Sequence, residues 1–377
     1  MTSRVEDINT DILQKCREQI GLALFDVEKI IKKIAEIENG DHKPTFKQLD
    51  TLSELYKVPR WVFVSEQLPD KYQFDKAVPA FRQLASSNAE IFSDSKVRSV
   101  IAQVERFRDL ILELLDDMGE TIVSYNPPEL TNNTKPEYGA TLIRKWLELT
   151  EEKYDFEKWK KLLEEKGIFI FLTSRYKGWS HVDKMLLRGL AIYHSTLPII
   201  IINDSDAKKA QSFTLFHELG HLLKKESAID DWEYYERDIE DWCDELAGNV
   251  LMPAELFKTA VSSIDNLHTV KSIARNFKVS AYACLVRLRQ LQVINQGTYE
   301  DYEVQLKDEY AELQKKLKDS PGGPSRDRPQ EVLNQYGHIY TNVLFQAYHS
   351  REIGLHKLSK LFNLKKPSYV LEMEGLL

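Results

Sequence analysis

The chain has 377 residues, 42% of them hydrophobic, a formal net charge of −8 and only three cysteines. That length supports a substantial core and two or three domains, while the acidic balance opposes strong non-specific binding to nucleic acid and leaves only local basic patches for it. Cys16, Cys243 and Cys284 are far apart and odd in number, which implies no disulfide framework and points to a reducing cytoplasm. The N-terminus is polar and acidic, without the apolar stretch of a signal peptide, and no run reaches membrane-spanning length, so no membrane partner is expected.

Helical periodicity runs over residues 8–21 and 25–37; Asn39-Gly40 closes a turn, and Pro44-Thr45-Phe46 opens a third helix that continues to Tyr56. Residues 1–70 are therefore expected to be a separate all-helical domain. Residues 71–158 read as a mostly helical bridge, with helical spacing over 97–117, a stop at Asn126-Pro127-Pro128 and a helix over 138–149. A helix over 159–165 ends at Gly167, and residues 168–172, 188–194 and 197–203 read as strands of a small sheet. His181 and His194 are taken as ordinary polar positions.

Next comes His217-Glu218-Leu219-Gly220-His221, an HExxH pattern. Residues four apart share a helical face, so both imidazoles can converge on one zinc ion while Glu218 reaches the water that the ion activates. Phe213, Leu215, Phe216, Leu219, Leu222 and Leu223 surround the motif with apolar side chains, as in a buried helix. A catalytic zinc site takes three protein ligands and keeps one position open, so a third ligand must follow. Residues 239–253 read as a second helix, ending at Pro253. There Glu240 is the expected third ligand, and Asp244, one turn on, the acceptor for the free nitrogen of a zinc-bound histidine. Glu236 is the rival ligand. Cys243 lies between the two acids, but its helical angle points away from their face.

Phe213 to His221, followed by a Glu-x-x-(Ala/Cys)-(Asn/Asp) helix ending in Leu251-Met252-Pro253, resembles the ImmA/IrrE metallopeptidases over residues 160–295. The resemblance implies an α+β fold: a mainly helical, multidomain chain with a zincin-like protease core over residues 159–260 and a small sheet beside the HExxH helix. It maps the family's zinc ligands to His217, His221 and Glu240 and its general base to Glu218. Cys243 and Asp244 stand where Ala and Asn are common, and Leu246 replaces a frequent Phe; neither change removes a group the chemistry needs. The resemblance further implies a zinc-dependent endopeptidase whose protein substrate is a helix-turn-helix repressor of a mobile element, phage or stress response. A non-cleaving, zinc-stabilised regulator or antitoxin-like binder is the competing expectation. Tyr234, Tyr235 and His268 are candidates for stabilising the oxyanion.

The pattern Arg17-Glu18-x-x-Gly21-Leu22, Ile37-Glu38-Asn39-Gly40 and Pro44-Thr45-Phe46 is similar to the repressor-type (XRE-like) helix-turn-helix that often precedes such domains. The stretch between Leu22 and Ile37 is several residues short and leaves mainly Lys29, Lys32 and Lys33 to read bases, so a scaffold for protein contact or dimerisation is expected before sequence-specific DNA binding. Residues 261–297 resemble a second helix-turn-helix, in which Arg275, Lys278, Arg287 and Arg289 are expected on a solvated face or against phosphates or an acidic partner. Residues 308–318 read as a charged helix and Ser320 to Ser325 as a linker. Residues 298–377 suggest a regulatory or partner-binding region without chemistry of its own.

Overall fold

The computed structural model describes residues 4–73, 94–131, 133–149, 154–176, 178–227, 236–261, 264–318 and 327–377. The fold is α+β, mainly helical with one three-stranded sheet among these residues. The chain clusters into two compact units, Met1–Leu110 with Tyr176–Leu187, and Ile111–Arg175 with Arg188–Leu377.

The first unit opens with α1 (Thr10–Gln19), α2 (Leu24–Glu28), α3 (Ile34–Glu38) and α4 (Phe46–Tyr56). Asn9 caps α1 by accepting from the Ile12 amide, and Thr45 and Gln48 form a reciprocal capping box on α4. The single helix expected over 25–37 is two short helices instead, separated by a turn that ends in left-handed Lys33 at φ 69°. Val27, Ile31, Ile34 and Ile37 are nonetheless all buried. Periodicity reports which residues face inward, and here tertiary packing satisfies it without a continuous helix. Arg17 grips Glu38 with Nε donating to Oε1 at 2.8 Å and to Oε2 at 3.1 Å, and Nη2 to Oε2 at 3.0 Å, which ties α1 to the end of α3. The long α5 (Ser95–Met118) follows, its residues divided between the two units after Leu110.

In the second unit, α6 (Pro136–Trp146) and α7 (Phe156–Glu165) lead into β1 (Phe169–Leu172), β2 (Gly189–Ile192) and β3 (Ile199–Ile202). The sheet order is β1-β3-β2, with β1 parallel and β2 antiparallel to β3. The Phe-Ile-Phe-Leu and Ile-Ile-Ile-Ile sequences of β1 and β3 are buried throughout, as strands covered on both faces require. Helix α8 (Lys208–Ser227) packs on β2, β3 and α7, and α9 (Glu236–Leu251) packs between α8 and α6. Gly220 makes the α8–α9 approach possible, since a Cβ there would stand 2.8 Å from Cys243 Sγ. Helices α10 (Ala254–Ala260), α11 (Leu267–Asn276), α12 (Ala281–Gln290) and α13 (Gln296–Lys318) follow. Arg287 corrects an expectation. It is buried, donating from Nε to the Met252 carbonyl at 3.1 Å and from Nη2 to Asn249 Oδ1 at 2.6 Å, so it closes the end of α9 and faces neither solvent nor a phosphate.

The chain ends in α14 (Arg328–His349), α15 (Leu355–Leu361) and α16 (Pro367–Glu374). Helix α14 packs on β1 and is interrupted at Gly337, whose φ of 73° and ψ of 177° are not helical. Two buried side chains one turn apart on α7 satisfy the broken ends: Lys160 Nζ donates to the Asn334 carbonyl at 2.5 Å, and Glu164 Oε1 accepts from the His338 amide at 2.9 Å. The linker expected at Ser320 to Ser325 lies outside the described residues.

Candidate metal centre

Helix α8 presents His217, Glu218 and His221, and α9 presents Glu240 and Asp244 toward them. His217 Nε2 lies 3.0 Å from His221 Nε2 and 3.3 Å from Glu240 Oε2, and His221 Nε2 lies 3.4 Å from Glu240 Oε1. Among the described residues His217, His221 and Glu240 are the group able to hold a metal ion. Donors about 2.0–2.1 Å from a tetrahedral ion stand about 3.3–3.4 Å apart; the two imidazole nitrogens and the two Glu240 oxygens, one beside each ring, have a spacing that fits such an ion. Two imidazole nitrogens at this separation cannot both carry protons toward each other, and an ion held between them would take the place of the proton they share.

The surrounding residues fix this geometry. His217 Nδ1 meets Asp244 Oδ1 at 2.7 Å, which sets the ring orientation and directs Nε2 into the cluster. Burial opposes charge on His217, yet its bonds to Asp244 and Glu240, with Glu218 nearby, push its pKa up to about 10. Its bond with Glu240 holds that carboxyl below its ordinary value. Glu218 is buried, and burial pushes its pKa up to about 7, with Glu240 adding to the rise and His217 and a bond from the Ala191 amide opposing it. A carboxylate poised near neutrality suits a group that must both take and return a proton.

Sequence reasoning missed two contributors. Gly189, the first residue of β2, abuts α8 so closely that a Cβ would collide with Thr214 Cγ2 and stand 2.6 Å from Glu218 Oε1. The Ala191 amide then bonds Glu218 from the same strand. Nothing local marks them: a further strand separates Gly189 from the motif helix in sequence, and only tertiary packing brings β2 against α8. His181 and His194 do not join the cluster. Cys243 is fully buried beside Gly220, on another side of α9 from Glu240 and Asp244. Tyr234 and Tyr235 lie outside the described residues, as does the side chain of Glu236, and exposed His268 in the first turn of α11 has no hydrogen bond or ion pair with the cluster.

No curated protein matches the chain. Residues 163–289, about a third of its length, match the family model described as the IrrE N-terminal-like domain, a peptidase family. That match runs from the end of α7 to the last turn of α12 and includes every residue of the cluster, so the segment that builds the site is similar to metallopeptidases of the ImmA/IrrE type.

Proposed function

We propose that the protein is a zinc-dependent endopeptidase that cuts a protein partner, a helix-turn-helix repressor being the expected substrate. The observation that carries this reading is the His217–His221–Glu240 group, with the two imidazole nitrogens 3.0 Å apart and each 3.3–3.4 Å from a different Glu240 oxygen, beside buried Glu218. His217, His221 and Glu240 would hold the ion, which supplies Lewis-acid polarisation of a peptide carbonyl and a water acidified toward neutrality. Glu218, steadied by the Ala191 amide, accepts the proton of the attacking water and returns it to the leaving amine. Asp244 holds His217 in the tautomer that leaves Nε2 free as a ligand.

Strand β2 suits an extended substrate. The Asn203 amide bonds the Arg188 carbonyl at 2.9 Å, and in an antiparallel ladder alternate residues bond the partner strand. Gly189 and Ala191 therefore direct their main-chain groups away from β3; the Ala191 amide goes to Glu218, which leaves the Gly189 groups and the Ala191 carbonyl on the side where a peptide could pair. Among the described residues no helix is long and apolar enough to cross a membrane, and all three cysteines are free and buried, which supports a reducing cytoplasmic setting.

The test is Glu218→Gln, which keeps the shape of the side chain but removes the base. Zinc content should stay at about one ion per chain, while cleavage of a helix-turn-helix repressor that the wild type cuts falls about a hundredfold or more. Undiminished cleavage rejects Glu218 as the base. The N-terminal helical domain favours one competitor, a regulator that binds without cutting; stable binding of a helix-turn-helix repressor by the wild type over hours, with no product, would establish it.

A further inference from the structure

The turn that joins α11 to α12 is built a second time between α15 and α16. In each, one residue stands in the left-handed region, Lys278 at φ 56° and Asn363 at φ 52°. The next amide reaches back to the preceding helix, Val279 to the Ala274 carbonyl at 3.0 Å and Leu364 to the Ser359 carbonyl at 2.9 Å. Buried side chains repeat at matching places: Ile273, Ala274, Phe277 and Val279 in one copy, Leu358, Ser359, Phe362 and Leu364 in the other. The α15–α16 pair thus repeats the turn of a helix-turn-helix, and it lies outside the segment that matches the peptidase family. Phe362 seats it on α14, edge to face with Tyr336 and Tyr340 at 5.8 and 5.9 Å.

Charge separates the two copies. In α11–α12 the basic side chains are engaged within the chain: Lys271 pairs with Glu309, Lys278 with Asp155 at 3.5 Å, Arg287 is buried, and Arg289 lies over the Tyr299 ring at 5.2 Å. In the second copy, four lysines and no acid stand between Ile353 and Leu371. Lys357, Lys360, Lys365 and Lys366 are all exposed, and among the described residues Lys357 and Lys365 have no ion-pair partner. Of the acids that flank them, Glu374 pairs with His349 at 2.7 Å, and Glu352 and Glu372 are exposed. Lys357 and Lys360 share a face of α15, while Lys365 and Lys366 precede the first turn of α16, where the helix amides add positive charge.

We propose that the α15–α16 unit binds duplex DNA through its phosphates, without reading sequence, by Lys357, Lys360, Lys365 and Lys366. On a duplex, the first helix of a helix-turn-helix crosses the backbone and the second approaches the groove by its N-terminal end, which are the two places where these lysines stand. Helix α16 itself offers no arginine, asparagine or glutamine for a bidentate base contact, so the contact is with the backbone alone. The unit belongs to the same compact unit as the metal centre, so the contact brings that centre to a DNA-bound substrate. This consequence rests on the peptidase reading; the binding does not.

Fluorescence anisotropy of a labelled duplex of arbitrary sequence, about 20 base pairs long, titrated with the full chain at several salt concentrations tests this. The wild type should bind with a Kd of about 10⁻⁵ M at physiological salt and more tightly as salt falls. Lys357→Ala, Lys360→Ala, Lys365→Ala and Lys366→Ala combined should weaken binding at low salt by at least about tenfold and lower the slope of log K against log salt by about three. The four side chains are exposed, so the thermal midpoint should stay as in the wild type. The same four positions changed to Arg keep the charge and should keep both the affinity and the slope. A wild type that does not bind duplex at low salt, or an Ala variant that binds as the wild type does, overturns the proposal. Polyglutamate that displaces the duplex from the wild type at equal concentration of negative charge also overturns it, in favour of an acidic protein as the partner. Wild-type protein that binds duplex but cuts nothing counts against the peptidase reading alone.

Discussion

His217 uses both ring nitrogens, one toward Asp244 and one toward His221 and Glu240, so a single side chain joins the cluster to its support. Removing it should cost more than one ligand. His217→Ala and His221→Ala are expected to lose zinc, and Asp244→Ala to keep the site but weaken zinc binding by about tenfold to a hundredfold, because the ring orientation is no longer fixed. Elemental analysis and competition with a chelator read these outcomes; full occupancy in both histidine variants would remove the site from consideration. His217, Glu218 and His221 were legible because a four-residue spacing on a helix is a local property of the sequence. Glu240 and Asp244 needed a second helix packed on the first, and the acidic stretch around them offered several candidates. The contributions of Gly189 and Ala191 were not legible, since they depend on how near β2 lies to α8, a distance set by tertiary packing and written in no local pattern.

At the level of elements, the three strands announced themselves by β-branched and aromatic runs, and the motif helix by its apolar flanks. Two features escaped: the break between α2 and α3, and the interruption of α14, whose broken ends are met by Lys160 and Glu164 from a distant helix. At Gly337 a Cβ would collide with Glu164 Oε1 and stand 2.9 Å from the Ile170 carbonyl, and the positive φ adds strain. Gly337→Ala should therefore destabilise the second unit by more than about 2 kcal/mol, as measured by urea unfolding. The same junction predicts a pH dependence. Burial pushes the Glu164 carboxyl up to about 7, against the pull of Lys160 and the amides of His338 and Ile339. With a folded pKa above the unfolded value of about 4.3, the carboxyl is protonated in both states at low pH, and its contribution is then fully present. As pH rises toward 7 the unfolded chain ionises first, and roughly 1–3 kcal/mol of stability is lost. Glu164→Gln should flatten this trend. A wild-type urea midpoint that falls no more than that of Glu164→Gln between pH 5 and pH 8 would show that Glu164 is not its source.

At the scale of the whole molecule, the chain carries a group able to hold a metal and, before it, a set of N-terminal helices. The exposed lysines of those helices are poorly placed to read DNA. Lys29 is paired with Asp26 at 2.9 Å and Lys33 with Glu36 at 3.1 Å, while Phe25 and Ile30, 67% and 57% exposed, offer apolar surface beside them. Each ion pair cancels a charge that counterion release would otherwise exploit, and the net charge of −8 adds a general repulsion from phosphate. Exposed aromatic and branched side chains are what protein contacts use. Two variants separate the readings: Lys29, Lys32 and Lys33 all changed to Ala, and Phe25 with Ile30 changed to Ala. The first should alter duplex binding by no more than about threefold, with a Kd above about 10⁻⁶ M at physiological salt, as weak non-specific contact predicts. The second should weaken repressor binding or shift the sedimentation profile while leaving zinc content unchanged. Duplex binding measured at two salt concentrations decides between them: tight, sequence-specific binding that the lysine variant loses by about a thousandfold would establish a DNA reader in place of a protein-contact domain.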